Sequence, residues 1–199
     1  MVSSRLLSGI RYSLLVMVLS SVMLGPSHAR KIDDVDFPNI ITIDGSDVEL
    51  QLNGMGYRVK FIFDVYILGF YTESQVETRD AAQSLKGPKR IIMHMVREEV
   101  GRDKMISALN DGFEKNTSDQ QYAKLESRIR KFATFFPDLF KDDVIALDYI
   151  PGPGTRVTVN GAIKGVIEGA DFYTALLDIW LGDEPADDDL KAAMLGIDD

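Results

Sequence analysis

Residues 57–71 read YRVKFIFDVYILGFY, a run of aromatic and β-branched side chains that suits an extended strand. Its odd-numbered positions, Tyr57, Val59, Phe61, Phe63, Val65, Ile67, Gly69 and Tyr71, are nearly all apolar. Successive strand side chains alternate between faces, so this set is expected to meet a core. The even-numbered positions start charged, at Arg58 and Lys60, and end apolar, at Leu68 and Phe70. Asn53-Gly54-Met55-Gly56 comes just before, and its glycines predict a turn or a bulge with positive φ. An arginine at the mouth of an apolar strand implies a pocket with a cationic end. Such a pocket suits an elongated apolar molecule with an acidic head.

Hairpin signals surround this run. Residues 40–43 and 48–52 read as strands about the turn Asp44-Gly45-Ser46-Asp47. Residues 89–96 read as a further buried strand. Strands over 144–150 and 155–159 are joined through Pro151-Gly152-Pro153-Gly154, and Asn160-Gly161 predicts a two-residue turn into a strand over 162–167. Two helices intervene. Met105, Ile106, Leu109 and Phe113 share one face of a helix predicted over 102–113. Tyr122, Leu125, Ile129, Phe132 and Phe136 recur at steps of three and four, which predicts an amphipathic helix over 119–136, ended by Pro137. Asp171 is expected to cap a helix reaching Leu181, with a short last helix over 187–195. Residues 30–38 read as a charged, irregular arm. Strands, helices, strands and helices in that order predict an α+β domain, an antiparallel sheet with helices packed on it. The alternating βα order of a nucleotide-binding sheet is absent.

The N-terminus has the pattern of an export signal. Arg5 and Arg11 give a basic start, residues 13–24 (SLLVMVLSSVML) an apolar core of 12 residues, and Gly25-Pro26 a break. Ser27 and Ala29 then supply small residues at −3 and −1, so cleavage is predicted after Ala29. An uncleaved anchor is the alternative, but a bilayer span takes roughly 20 apolar residues. No cysteine is present to carry a lipid. The chain thus divides into a leader over 1–29, an arm and first strand over 30–43, and one domain over 44–196. The expected location is periplasmic, with secretion second and no stable membrane insertion after cleavage. The remaining residues suffice for a sizeable core, held by packing without disulfides. Net charge is −9, and −11 once the two leader arginines are removed. Such a balance argues against nucleic acid and anionic membrane surfaces as partners.

Beyond the leader a single histidine remains, His94, inside an apolar strand where a packed role is expected. With no other histidine and no strained GxSxG elbow, a Ser-His-Asp triad has no support. Cysteine nucleophiles and thiolate metal sites are impossible, and no HExxH, Walker A or EF-hand pattern occurs. Gly54-Met55-Gly56 lacks a third glycine and opens a strand, so it is not a phosphate loop. Asp183, Glu184, Asp187, Asp188 and Asp189 read as a solvated helix start, where carboxylates suit the helix dipole, and not as a calcium loop. No catalytic residue, metal or cofactor is assigned.

Three separated blocks carry a resemblance: LNGMGYRVKFIFDVYILGFY, REEVGRDKMISALNDGFEKN and TRVTVNGAIKGVIEGADFYTALLDIWLGDEPADDDLKAAMLG. In this order they make the chain similar, over roughly residues 44–196, to the bacterial chalcone isomerase-like proteins. The resemblance implies an open-faced β-sandwich, a large antiparallel sheet with a layer of helices. It also implies one of two functions. Plant members cyclise a chalcone to a flavanone; non-catalytic members bind fatty acids, holding the carboxylate with an arginine and a tyrosine. The family arginine after GxGxR falls on Arg58. The position that is threonine in the enzymes and tyrosine in the binders falls on Tyr66. An enzyme tyrosine and asparagine fall near Val100 and Ser107, and an enzyme threonine falls on Ile179, whose side chain cannot hydrogen-bond. The resemblance therefore implies a non-catalytic binder of a fatty acid or similar apolar carboxylate, with Arg58 and Tyr66 as ligand-binding residues. The alternatives are an intramolecular lyase closing a chalcone-like enone, and an envelope scaffold with a filled core and no ligand.

One distance constrains this expectation. On a straight strand, Arg58 and Tyr66 point the same way but sit about 26 Å apart at about 3.3 Å per residue. They can share one carboxylate only if the strand bends sharply between Phe61 and Asp64.

Overall fold

A computed structural model describes residues 29–197, so the leader lies outside the described residues apart from Ala29. The first elements form a small hairpin, β1 (Ala29–Ile32) with β2 (Val35–Pro38), where the sequence suggested an irregular arm. Phe37 explains the difference, because it is buried and anchors the hairpin against the domain. After β3 (Ile40–Ile41) comes β4 (Leu50–Lys60), which turns through Phe61 and Ile62 into β5 (Phe63–Thr72). The run over 57–71 is therefore the end of one strand, a turn and a second strand. The reversal depends on Phe61, which takes a left-handed φ of +61°. No Asn-Gly or Asp-Gly marks it, so the pattern of faces read straight through the turn.

The chain continues through α1 (Arg79–Ser84), β6 (Lys89–Met95), β7 (Glu99–Val100), α2 (Arg102–Asn116) and α3 (Asp119–Ala133). It closes with β8 (Leu139–Phe140), β9 (Val144–Ile150), β10 (Gly154–Val159), β11 (Ala162–Ile167), α4 (Ala170–Leu181) and α5 (Asp188–Met194). Seven strands make one antiparallel sheet in the order β11-β10-β9-β6-β5-β4-β3, and β7 pairs with β8 beside it. This is the α+β sheet-and-helix architecture expected. Gly169 takes the N-cap position of α4; Asp171 lies in its first turn and forms a two-pronged ion pair with Arg128 at 2.7 Å. The predicted Asp171 cap is thus corrected. Asp187 caps α5, accepting from the Leu190 N–H at 3.1 Å.

Two cores flank the sheet. Helices cover one face, where Leu68, Phe70, Met93 and Leu147 meet Phe113, Phe132, Phe172 and Trp180. On the other face Phe37, Ile43, Leu50, Leu52, Ile67 and Tyr71 form a smaller core beneath the N-terminal hairpin. Both faces of β5 are consequently buried from Tyr66 onward, which is why its even-numbered positions become apolar. His94 lies on the smaller core's side, edge-on to Phe37 with ring centres 5.2 Å apart. Burial lowers its pKa, against the raising effect of the Asp142 charge.

Gly54 and Gly56 lie inside β4, and neither has a positive φ. Of the turn or bulge expected here, the structure has a bulge, at Asn53 where the β4–β5 register shifts, without the positive φ expected of the glycines. Asn53 is 1% exposed; its amide donates to the Val76 and Met194 carbonyls at 2.8 and 2.7 Å and accepts from the Val76 N–H at 2.7 Å. The glycines are needed for another reason, the close approach of α5. A Cβ on Gly54 would run into the Ala193 carbonyl, and one on Gly56 would lie 2.6 Å from the Ala193 Cβ.

Candidate ligand-binding cavity

Gly54, Gly56 and Arg58 alternate along β4, so all three face the helix layer. The glycines let α5 lie on the strand, and that brings its capping residue to the next position along, Arg58. Asp187 accepts from Arg58 Nη1 at 3.4 Å and from the Val59 N–H at 2.9 Å while capping α5 with its other oxygen. Arg58 Nη1 also donates to the Val59 carbonyl. Among the described residues, Nε and Nη2 of Arg58 have no protein partner, so part of its donor fork is open. The side chain retains 18% exposure.

Tyr66 is the direct cross-strand partner of Arg58. The sharp reversal at Phe61–Ile62 does what a straight strand could not and sets both side chains on one face, side by side. Residues directly opposite in an antiparallel pair have Cβ atoms about 4.5–5.5 Å apart. Tyr66 is 7% exposed, and its hydroxyl accepts from Trp180 Nε1 at 2.8 Å. Its own proton is not used in that bond. Burial pushes the phenol up to about 12, against the lowering effect of the Trp180 bond and the Arg58 charge. Tyr66 is therefore a neutral donor across the physiological range.

A cavity of about 620 Å³ opens in front of this pair, within the size range of ligand pockets. Its floor includes Val65, Tyr66 and Met93 from the sheet; Met105 and Leu109 of α2 and Trp180 of α4 make the apolar wall. Lys60, Arg97, Lys104 and Lys115 bring positive charge to the lining, with Glu99, Asp111 and Glu184 opposing. Val100, Ser107 and Ile179, the three positions aligned with enzyme polar residues, line the same space. Only Ser107 among them has a side chain that can hydrogen-bond. A second cavity of about 340 Å³ lies against α3 and α4. Arg79 and Asp178 on its wall already satisfy each other at 2.8 Å, so it presents less unpaired chemistry.

Residues 29–196 match the chalcone isomerase-like family. The chain belongs to the chalcone isomerase-like family. Among solved structures, a fatty-acid binding protein of Arabidopsis thaliana is similar at a TM-score of 0.60 and 19% identity, over 81% of this chain and 91% of that one. At that identity the likeness shows the fold, the same sheet and helix layer. No curated protein matches this one.

In this chalcone isomerase-like protein the structure brings together both residues singled out from the sequence, Arg58 and Tyr66. Two others escaped notice. In the sequence Trp180 is one more apolar residue of the helix reaching Leu181, and Asp187 one of several carboxylates at a solvated helix start. Their partners lie 114 and 129 residues away in the chain, so no local pattern announces either contact. The sequence shows Asp187 as a carboxylate at a helix start; its capping bond to Leu190 and its contact with Arg58 come from the structure.

Proposed function

We propose that this chalcone isomerase-like protein is a non-catalytic binder of a fatty acid or a similar apolar molecule with an acidic head. The observation that carries this is the pairing of Arg58 with Tyr66 across the hairpin at the wall of an apolar cavity. The open donors of Arg58 fit a carboxylate, and the Tyr66 proton gives a second contact to the same group. The tail lies against Met93, Met105, Leu109 and Trp180, each buried methylene contributing about 0.8 kcal/mol. The fatty-acid binding protein of Arabidopsis shares the fold and lends this reading support. An unfilled space of about 620 Å³ beside Arg58 weighs against a ligand-free scaffold with a filled core. Isomerase chemistry is disfavoured because Val100 and Ile179 give the cavity no side-chain donors at two of the three aligned positions.

The location belongs to the same proposal. Residues 1–29 direct export, and the protein works in the periplasm, or outside the cell, after cleavage beyond Ala29. An intact mass of the protein recovered from the envelope, lacking residues 1–29, is the expected result; an intact leader counts against it.

The ligand is tested by mass spectrometry of lipid extracted from the purified protein, followed by titration with fatty acids of graded length. Wild-type protein should carry fatty acid. Arg58→Ala should weaken binding by about 10- to 100-fold, the worth of a hydrogen-bonded charge pair of about 1.5–3 kcal/mol. No co-purifying lipid together with no measurable affinity would sink the proposal.

A further inference from the structure

The turn that pairs Arg58 with Tyr66 leaves its own side chains in the open. Phe61 is 90% exposed and Ile62 85%, the two most exposed large apolar residues among those described, and Phe63 beside them is 50% exposed. Phe61 holds its left-handed φ, which a bulky residue rarely adopts, at a turn where asparagine or glycine would fit without strain. Fold stability gains nothing from an exposed phenylalanine there, and strain of this kind gathers at functional sites.

The surroundings indicate what the tip meets. Lys60 adjoins Phe61 in the chain, and the Arg97 guanidinium lies 4.4 Å from the Phe63 ring centre. Neither cation has an ion-pair partner among the described residues. Asp64 is the carboxylate on the same hairpin end. Phe61 and Phe63 also line the cavity, so the exposed tip and the mouth are continuous. A few apolar side chains flanked by cations suit the interface of a bilayer, with rings among the acyl chains and Lys or Arg at the phosphates. Three side chains are few for a protein partner, since a stable interface engages about 20–30 residues a side.

We propose that the β4–β5 tip is a membrane-docking element that seats the cavity mouth on a lipid surface, where the apolar ligand is collected or delivered. This rests on the ligand-binding reading above. The net charge, −9 for the whole chain and −11 without the two leader arginines, repels the rest of the molecule from anionic lipid, so docking is peripheral and tip-first.

The chain has no cysteine, so single-site labelling is direct. An environment-sensitive dye is placed on Ile62→Cys, and on Ile40→Cys on β3 as the control. Phosphatidylcholine vesicles, with and without phosphatidylglycerol, are then added to the exported protein, residues 30–199, since the apolar leader would itself partition into lipid. The dye at position 62 should shift to the blue and the dye at 40 should not. Phe61→Ser in the Ile62→Cys background should lower vesicle partition about tenfold. No shift at 62, or equal shifts at both positions, overturns the proposal. So does a shift that grows with protein concentration without vesicles, which would assign the tip to a second copy of the chain. Fatty-acid affinity measured without vesicles separates the two readings. Ile62→Ser should keep that affinity within about twofold, as a surface change away from the cavity wall. Lost vesicle binding with intact fatty-acid binding removes docking alone; the converse removes the ligand and keeps the docking surface.

Discussion

Arg58 serves two structures at once. Its Nη1 closes a local contact with Val59 and Asp187, and the rest of its fork faces the cavity. An arginine at the strand mouth was legible in the sequence, because charge on an apolar strand stands out. The companion carboxylate was not, because an aspartate before a helix has an ordinary reason to be there. Tyr66 shows the same division. Its position was legible, while the indole N–H it accepts from was hidden by the length of chain between them. Removing the hydroxyl leaves that buried N–H without an acceptor. Tyr66→Phe should therefore destabilise the fold by about 1–3 kcal/mol, read from urea unfolding. Emission from Trp180, the single tryptophan, should change with it. Unaltered stability and emission would mean that the Trp180 bond contributes nothing.

Among the elements, β4 and α5 depend on each other. The strand carries glycines where the helix rests, and the helix delivers Asp187 to the strand's arginine. Gly56→Ala sets a methyl group 2.6 Å from the Ala193 Cβ, so α5 must move. Overpacking of this kind costs about 1–3 kcal/mol. The displacement should also loosen Asp187 from Arg58, visible as a shifted fatty-acid affinity alongside the lower denaturation midpoint. A variant as stable as wild type would show that α5 does not need the glycine surface. Most helices and strands of the domain were readable from periodicity, since each long element keeps its period. The hairpin at Phe61–Ile62 was not, because its turn is made from residues that ordinarily continue a strand. The role of GxG was missed for a related reason, as strand glycines that admit a helix look the same as glycines that make a turn.

For the molecule as a whole, Lys89 sets a pH signature. It is 3% exposed, donates to the Leu85 carbonyl at 2.7 Å and lies 4.8 Å from the Tyr149 ring centre. Burial pushes its pKa down to about 8 from an ordinary 10.5, partly offset by Glu73. Across that window the unfolded chain holds a proton that the folded chain has released, so stability rises with pH. The buried tyrosines act oppositely. Burial raises Tyr66 to about 12 from 10.0, and Tyr71 and Tyr173 are also raised. The folded chain keeps these protons while the unfolded chain loses them, so stability falls above about pH 10. Urea midpoints should climb from about pH 8 and turn over near pH 10. Lys89→Met should abolish the climb and keep the fall; a climb that survives the substitution would exclude Lys89 as its source.

The Phe61–Ile62 reversal also separates two kinds of assembly. Arg58 and Tyr66 are eight residues apart, and closing such a hairpin is a microsecond event that needs no distant chain. Trp180 and Asp187 reach them only when segments 114 and 129 residues away return, at a greater loop-closure cost. The polar pair thus rests on a local contact, and the wall that encloses it on the completed topology.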